Sequence, residues 1–344
     1  MKNTINFIDL FCGVGGFSSG FKKEQFSCLF SIDNNDYCKK VYEENFPKDQ
    51  FILKDINLLS DDEFLGFIGN KKVDLIIGGP PCQGFSTIGK RISSDKNVRK
   101  QEDERNNLVY EFIRLVKIAK PSYFIMENVR GIRTRDKGLI FKELLSKIES
   151  IDYYYEVKTL NSANYGVPQN RERVFIIGSR DDKKISFPSE TNGPELLGLD
   201  PYLTVGDAIN DLMQNKDIPN HSPLKHGEKN IRRYKLIPEG GRLPEDKLPE
   251  ELYRKNFGNT FKRLDRSKPS LTIVPGHNAF PIHPVLDRSL TVREAARLQT
   301  FPDDFIFIGP RHEQCIQVGN AVPPHLSRLF AVEVKKWIEN NAKI

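Results

Sequence analysis

Short apolar runs alternate with amphipathic stretches over the first half of this chain. Ile5–Phe11, Leu29–Ile32, Phe51–Leu53, Val73–Ile77, Tyr123–Met126 and Val174–Ile177 are each bounded by turn or charged residues, as buried strands are. Between several of them apolar residues recur at helical spacing. These stretches predict a helix from about Phe17, then helices at Tyr37–Asn45, Leu108–Ala119 and Leu139–Ile148. Such alternation predicts an α/β fold, a mostly parallel sheet with helices on both faces. It continues to about Arg180. From about Ser186 to Asp287 prolines multiply and long periodic runs stop, which predicts a smaller, loop-rich domain. Helical periodicity returns at Thr291–Gln299 and in a last helix, about Leu326–Glu339, which carries the only tryptophan, Trp337. The chain is thus divided at 1–184, 185–288 and 289–344.

Length and composition narrow this picture. At 344 residues the chain suits two domains. No apolar run approaches the ~18–20 residues of a membrane span. Asp9 interrupts the first apolar stretch, so the N-terminus does not read as a signal peptide. The five cysteines (12, 28, 38, 82 and 315) include no C-x-x-C pair, which argues against a disulfide scaffold and against a zinc site. The expectation is a cytoplasmic protein with free thiols, no metal and no membrane partner. The net charge is +6 and says little until it is located.

The first strand runs into Asp9-Leu10-Phe11-Cys12-Gly13-Val14-Gly15-Gly16-Phe17. Glycines between a strand and a helix let backbone N–H groups approach a ligand, although a plain tight turn accounts for them equally. The spacing departs from G-x-G-x-x-G, which counts against a nicotinamide oxidoreductase. Asp33 closes the second strand and Asp55 follows the third. Such acids suit a ribose diol and an adenine amine, or serve as helix caps. Together the three strand ends point to an adenosine-containing cofactor at the carboxyl edge of the sheet.

The fourth strand runs into Gly78-Gly79-Pro80-Pro81-Cys82-Gln83-Gly84-Phe85-Ser86. Two prolines fix the backbone before Cys82, so this cysteine is expected at the ligand edge, whereas the other four sit in apolar or helical contexts. The next strand ends in Glu127-Asn128-Val129, placing a carboxylate at the same edge, with an ordinary ion pair as the alternative reading. Arg171 and Arg173 alternate at the start of another strand and therefore share a face; a solvated face is the alternative for them.

These motifs resemble, in order and over nearly the whole chain, those of the bacterial-type C5-cytosine DNA methyltransferases. The resemblance is carried by Asp9 to Gly16, Asp33, Asp55-Ile56, Gly79 to Gln83, Asn107-Leu108, Glu127-Asn128-Val129, Gln169 to Arg173, Arg293 to Gln299 and Gly319 to Pro323. It implies a Rossmann-like S-adenosylmethionine-dependent fold and sequence-specific methylation of duplex DNA, in a monomer paired with a restriction endonuclease, with a solitary methyltransferase equally compatible with the residues. It assigns attack on cytosine C6 to Cys82, contact with N3 and the exocyclic amine to Glu127, O2 to Arg173, and site and phosphate organisation to Arg171. It assigns S-adenosylmethionine, released as S-adenosylhomocysteine, to Phe11, Gly13, Gly15, Gly16, Asp33, Asp55, Ile56, Pro80, Leu108, Asn320 and Val322. Two positions depart from common forms of the family: Lys54 stands where glycine often precedes the acid, and Asp33 replaces a glutamate.

The resemblance makes 1–184 the catalytic and cofactor-binding domain, 185–288 the target-recognition domain, and 289–344 a hinge and return. DNA contact is expected at Gln83, Ser86, Lys90, Arg91 and Arg99 just after the nucleophile, and at Arg232, Arg233, Arg242 and Arg263 in the variable segment. Residues 216–268 hold fourteen basic and eight acidic side chains, so they account for the whole net charge of +6. That excess suits phosphate contact, and arginine also suits base edges in the major groove. A tRNA cytosine-5 methyltransferase and a non-catalytic DNA-binding relative are the alternatives. Intact Cys82, Glu127 and Arg173 speak against the latter.

Overall fold

The structure is a computed structural model that describes residues 4–81, 108–180, 184–215, 217–244, 248–253, 261–275 and 280–341. It divides into two compact units. The first holds 1–160, 172–189 and 327–344; the second holds 161–171 and 190–326.

The first unit is built on seven strands: β1 (Asn6–Leu10), β2 (Ser27–Asp33), β3 (Phe51–Leu53), β4 (Leu75–Gly78), β5 (Tyr123–Val129), β6 (Tyr153–Asn161) and β7 (Glu172–Arg180). Their order is β3-β2-β1-β4-β5-β7-β6. The β1–β2, β1–β4, β2–β3 and β4–β5 pairs are parallel, and β7 runs antiparallel to β5. The expected mostly parallel sheet is therefore present. Its strands are apolar on both sides because both sides are covered.

Alternation along each strand sorts the side chains by face. Ile8, Ile76, Phe124 and Ile176 share a core with helices α3 (Asp61–Ile68), α4 (Leu108–Ala119) and α5 (Leu139–Glu149), through Phe64, Phe112 and Leu144 among others. On the other side Phe7 meets Phe21 of α1 (Gly16–Lys23), and Phe175 meets Phe17 and Phe330. Phe330 belongs to the last helix, Pro324–Asn341, whose buried Trp337 packs on Tyr123. Helix α2 (Asp36–Asn45) starts where the Asn35 side chain accepts the N–H groups of Tyr37 and Cys38.

The second unit contains short helices α6 (Val205–Ile209), α7 (Glu228–Lys235), α8 (Val292–Leu298) and α9 (Arg311–Asn320), joined by loops. The long terminal helix is then α10. Among the described residues this unit has isolated bridges, such as Arg242 with Lys262, and no regular strand of its own. Helices α6 and α8 each open on a complete capping box, Thr204 with Asp207 and Thr291 with Glu294. A small core of Tyr234, Ile237, Leu243, Phe261 and Ile282 holds the loops together.

The compact division differs from the one expected. The break falls after Ser189, not at 184/185, and 289–326 stay with the second unit. The reason is local. The guanidinium of Arg293, on α8, donates to the carbonyls of Pro219, Pro302 and Phe305, all inside that unit.

Candidate active site

The parallel strands end in register at one edge: Leu10 pairs with Ile32 and Gly78, and Gly78 with Met126. The chain leaves β1 through a turn with left-handed backbone at Phe11 (φ 57°), Gly13 (φ 54°) and Gly15 (φ 83°). A Cβ at Gly15 would lie 2.6 Å from the Phe46 ring and 2.8 Å from the Tyr42 ring, so both space and backbone demand glycine there. At Gly13 a Cβ would meet nothing within 4 Å; this part of the turn faces open space.

Asp33 ties the turn to the end of β2. Its Oδ2 accepts the Gly13 N–H at 2.9 Å and its Oδ1 the Asn35 N–H at 3.0 Å. Burial pushes this carboxyl above its ordinary range, against the hydrogen bonds from Gly13, Asn35 and Asn34. Asp55 caps the short turn Ile56–Leu58 through one oxygen, accepting from Asn57 N at 2.9 Å, and its other oxygen is left for a ligand. Ile56 beside it is buried. The open turn and the two acids fit an adenosine-type ligand, whose hydroxyls and amine are donors. Of the other expected cofactor residues, Gly16 opens α1, Pro80 is buried at the end of β4 and Leu108 opens α4. Asn320 and Val322 belong to the second unit.

A carboxylate that sequence reasoning left unassigned, Asp9, lies under the turn. It is 1% exposed, accepts from Ser18 Oγ at 2.6 Å through Oδ2, and leaves Oδ1 buried without a hydrogen bond. Burial pushes it up to about 7, and the charge of Asp33 adds to the effect. Ser18 in turn accepts from Tyr42, whose hydroxyl accepts from Ser31, so a buried polar chain links β1 and β2 beneath the glycines.

Residues of β5, β7 and the turn after β4 form the second cluster. Glu127 on β5 and Arg173 on β7 are diagonal neighbours of the ladder, in which Glu127 faces Phe175 and Val129 faces Arg173. Arg173 Nε lies 3.0 Å from Glu127 Oε1, with both side chains largely buried. No N–H is aligned on that oxygen, which leaves it able to accept from another group. A Cβ on Gly79 would lie 3.2 Å from Glu127 Oε2, and Asn128 Nδ2 donates to the Pro80 carbonyl at 3.3 Å. The Gly79-Pro80-Pro81 turn thus stands against the acid, and Cys82 is the next residue of the chain.

Cys82 itself lies outside the described residues, as do Gln83, Ser86, Lys90, Arg91 and Arg99. Three of the four described cysteines offer poor nucleophiles. Burial pushes the Cys28 thiol up to about 12, Cys315 up to about 11 and Cys12 well above its ordinary value.

Arg171 departs from its expected place on a face shared with Arg173. It is 1% exposed and belongs to the second unit, where its guanidinium donates to the carbonyls of Ile273, Gly319 and Asn320. There it holds the Gly319-Asn320 segment. The strand begins at Glu172, so alternation does not extend back to Arg171.

The four expected DNA readers also separate. Arg263 is buried and donates to the carbonyls of Tyr234, Ile237, His283 and Leu286 and to Asp287 Oδ1. Arg233 is buried on Leu252 O and Asn230 Oδ1. Both are engaged within the second unit. Arg232 is exposed in a pair with Glu251, and Arg242 is exposed with no partner among the described residues. Among the described residues no cluster of His, Cys, Asp or Glu could hold a metal ion, and no helix is long and apolar enough to cross a membrane.

Comparison with known proteins agrees with this geometry. Residues 5–336 match the family described as C-5 cytosine-specific DNA methylase. The type II methyltransferase M1.HphI of Haemophilus parahaemolyticus is 39% identical over 98% of this chain and 88% of its own length. M.NgoFVII of Neisseria gonorrhoeae is 36% identical over 94% and 84%. Among solved structures, a DNA modification methyltransferase candidate encoded in an Escherichia coli prophage superimposes with a TM-score of 0.72 at 29% identity, covering 98% of this chain and all of that one. The DNMT2 of Spodoptera frugiperda shares the fold, with a TM-score of 0.66 at 17% identity over 96% of this chain and all of that one. A match along nearly the whole length, on a sheet that brings Glu127 and Arg173 together beside the Gly79-Pro80-Pro81 turn, makes this chain a member of the C-5 cytosine-specific DNA methylase family, an enzyme that transfers methyl groups to DNA cytosine.

Proposed function

We propose that the chain methylates C5 of one cytosine within a specific duplex sequence, as the modification enzyme partnered with a restriction endonuclease. It acts as a cytoplasmic monomer in this reading. The observation that carries the chemistry is the meeting of Glu127 and Arg173 beside the turn that leads into Cys82. The naming of its relatives as type II methyltransferases supports the restriction–modification setting.

Cytosine C5 is a poor nucleophile. The Cys82 thiolate adds to C6, and the displaced ring electrons make an enamine whose C5 can attack. Glu127 holds N3 and the exocyclic amine and delivers a proton to N3 as sulfur adds, a general-acid role. Arg173 holds O2, and its ion pair keeps the Glu127 carboxyl aimed at the same ring. S-adenosylmethionine supplies an electrophilic methyl group when bound, and Asp33, Asp55 and the open turn at Gly13 are the residues that would hold it. Loss of the C5 proton to water then expels the thiolate, and N3 returns its proton to Glu127, which restores the ring and the acid. A stacked base cannot meet Cys82, so the nucleotide is flipped out first, at a cost of a few kcal/mol. Of the four arginines expected to read DNA in the variable segment, Arg232 and Arg242 are the exposed ones and contact bases or phosphates.

Incubation with labelled S-adenosylmethionine and either duplex DNA or tRNA tests this reading. Label enters duplex cytosine and none enters tRNA. Label in tRNA alone would overturn it.

A further inference from the structure

Directly after the Glu127 strand the chain reads Arg130-Gly131-Ile132-Arg133-Thr134-Arg135-Asp136-Lys137-Gly138, with four cations and one acid. The locally neutral sum of the chain outside 216–268 therefore conceals a concentrated positive turn in the catalytic unit. Ile132 is wholly buried and anchors the turn to the core, while Arg130, Arg133 and Lys137 are exposed. Arg133 meets no carboxylate: it donates to Thr159 Oγ1 at 3.1 Å and lies 5.6 Å from the centre of the Phe141 ring. Lys137 has no partner among the described residues. Arg130 pairs at 2.7 Å with Glu172, the neighbour of Arg173, but both groups are at least half exposed, a pairing that a stronger anion displaces readily.

The backbone holds these heads outward. Asp136 (φ 45°), Lys137 (φ 57°) and Gly138 (φ 84°) are left-handed in succession, a conformation that residues with side chains rarely adopt. The run follows the strand that carries the base-holding acid, separated from its end at Val129 by the short turn Arg130–Arg133. Glu127 and the Arg130–Glu172 pair lie on the same β5–β7 end of the sheet. A nucleotide whose base reaches Glu127 brings its own phosphodiesters to that edge.

We infer that the Arg130–Lys137 turn is a phosphate-binding surface for the strand that carries the target cytosine, with Arg133 and Lys137 as its principal contacts. The inference rests on the methyltransferase reading and adds a further DNA-contacting face, in the catalytic unit, to those expected just after Cys82 and in the variable segment.

The test is duplex binding by the full chain, followed by fluorescence anisotropy across a salt series with S-adenosylhomocysteine present. Arg133→Ala/Lys137→Ala weakens binding about tenfold and makes the log-affinity against log-salt slope shallower by about 2, one unit per lost phosphate contact. Arg133→Lys/Lys137→Arg keeps both values, which separates charge from folding. Lys39→Ala/Lys40→Ala removes two exposed charges from α2 and leaves both values unchanged. An unchanged slope in the first variant, or an equal loss in the α2 variant, overturns the inference. Failure of the unaltered protein to bind duplex would instead overturn the methyltransferase reading and the inference with it.

Discussion

Arg173 and Glu127 sit diagonally across the antiparallel β5–β7 ladder with Nε 3.0 Å from Oε1, yet no N–H is aligned on that oxygen. The pair is oriented and still able to bond a substrate. Glu127→Gln keeps the shape and loses the proton that N3 needs. Single-turnover methyl transfer should fall by about 10²–10⁴-fold, with duplex affinity largely kept. A rate within a few-fold of the unaltered enzyme would remove Glu127 from the chemistry.

The buried Asp9 makes stability depend on pH in a set direction. Its folded pKa, pushed up to about 7, lies well above the unfolded value, so the folded state holds a proton that the unfolded state has lost. Stability therefore falls as pH rises from about 4 to about 7 and levels off above. Asp33 is shifted the same way and contributes its own share. Denaturant melts of Asp9→Asn across that range should show a shallower fall than the unaltered protein. Equal slopes would contradict the assignment.

The two glycines of the turn should fail differently. Gly13→Ala carries only the strain of a left-handed residue, about 1 kcal/mol. Gly15→Ala adds contacts of 2.6 and 2.8 Å with Phe46 and Tyr42. Calorimetric titration with S-adenosylhomocysteine and thermal melts should both rank Gly15→Ala as the more damaged. The reverse order would contradict the geometry.

In the second unit, Arg263 and Arg242 separate stability from recognition. Removing Arg263 takes its donors from the carbonyls of Tyr234, Ile237, His283 and Leu286 and its charge from Asp287, so Arg263→Ala should cost about 3–5 kcal/mol, measured by urea unfolding. Arg242→Ala should leave unfolding within about 0.5 kcal/mol and weaken duplex binding. Loss of stability at Arg242, or none at Arg263, would refute this division.

The sheet was largely legible because buried strands and their covering helices leave period-2 and period-3.6 patterns. Phe51–Leu53 and Leu108–Ala119 appear with the bounds their periodicity predicts. Strand β6 escaped notice because, at the sheet edge, Tyr153–Asn161 is mostly half exposed and mixes aromatic with charged residues. Helices α3, α7 and α9 were missed for related reasons. Eight to ten residues rich in charge or glycine show too few apolar positions to set a period. At the site, Asp33, Asp55 and Glu127 could be read because each lies at or within two residues of a strand end. Arg171 and Arg263 could not, because their partners are mostly backbone carbonyls distant in sequence, and a carbonyl has no residue signature.

The most direct measurement of the central claim is covalent capture. Duplex DNA with 5-fluorocytosine at the target position blocks the final proton loss, so the enzyme stays bonded at C6 after methyl transfer. In the presence of S-adenosylmethionine, mass spectrometry should find a stable protein–DNA adduct at Cys82 and none with Cys82→Ser. An adduct that survives in Cys82→Ser, or no adduct from a protein that methylates ordinary duplex, would contradict attack by Cys82.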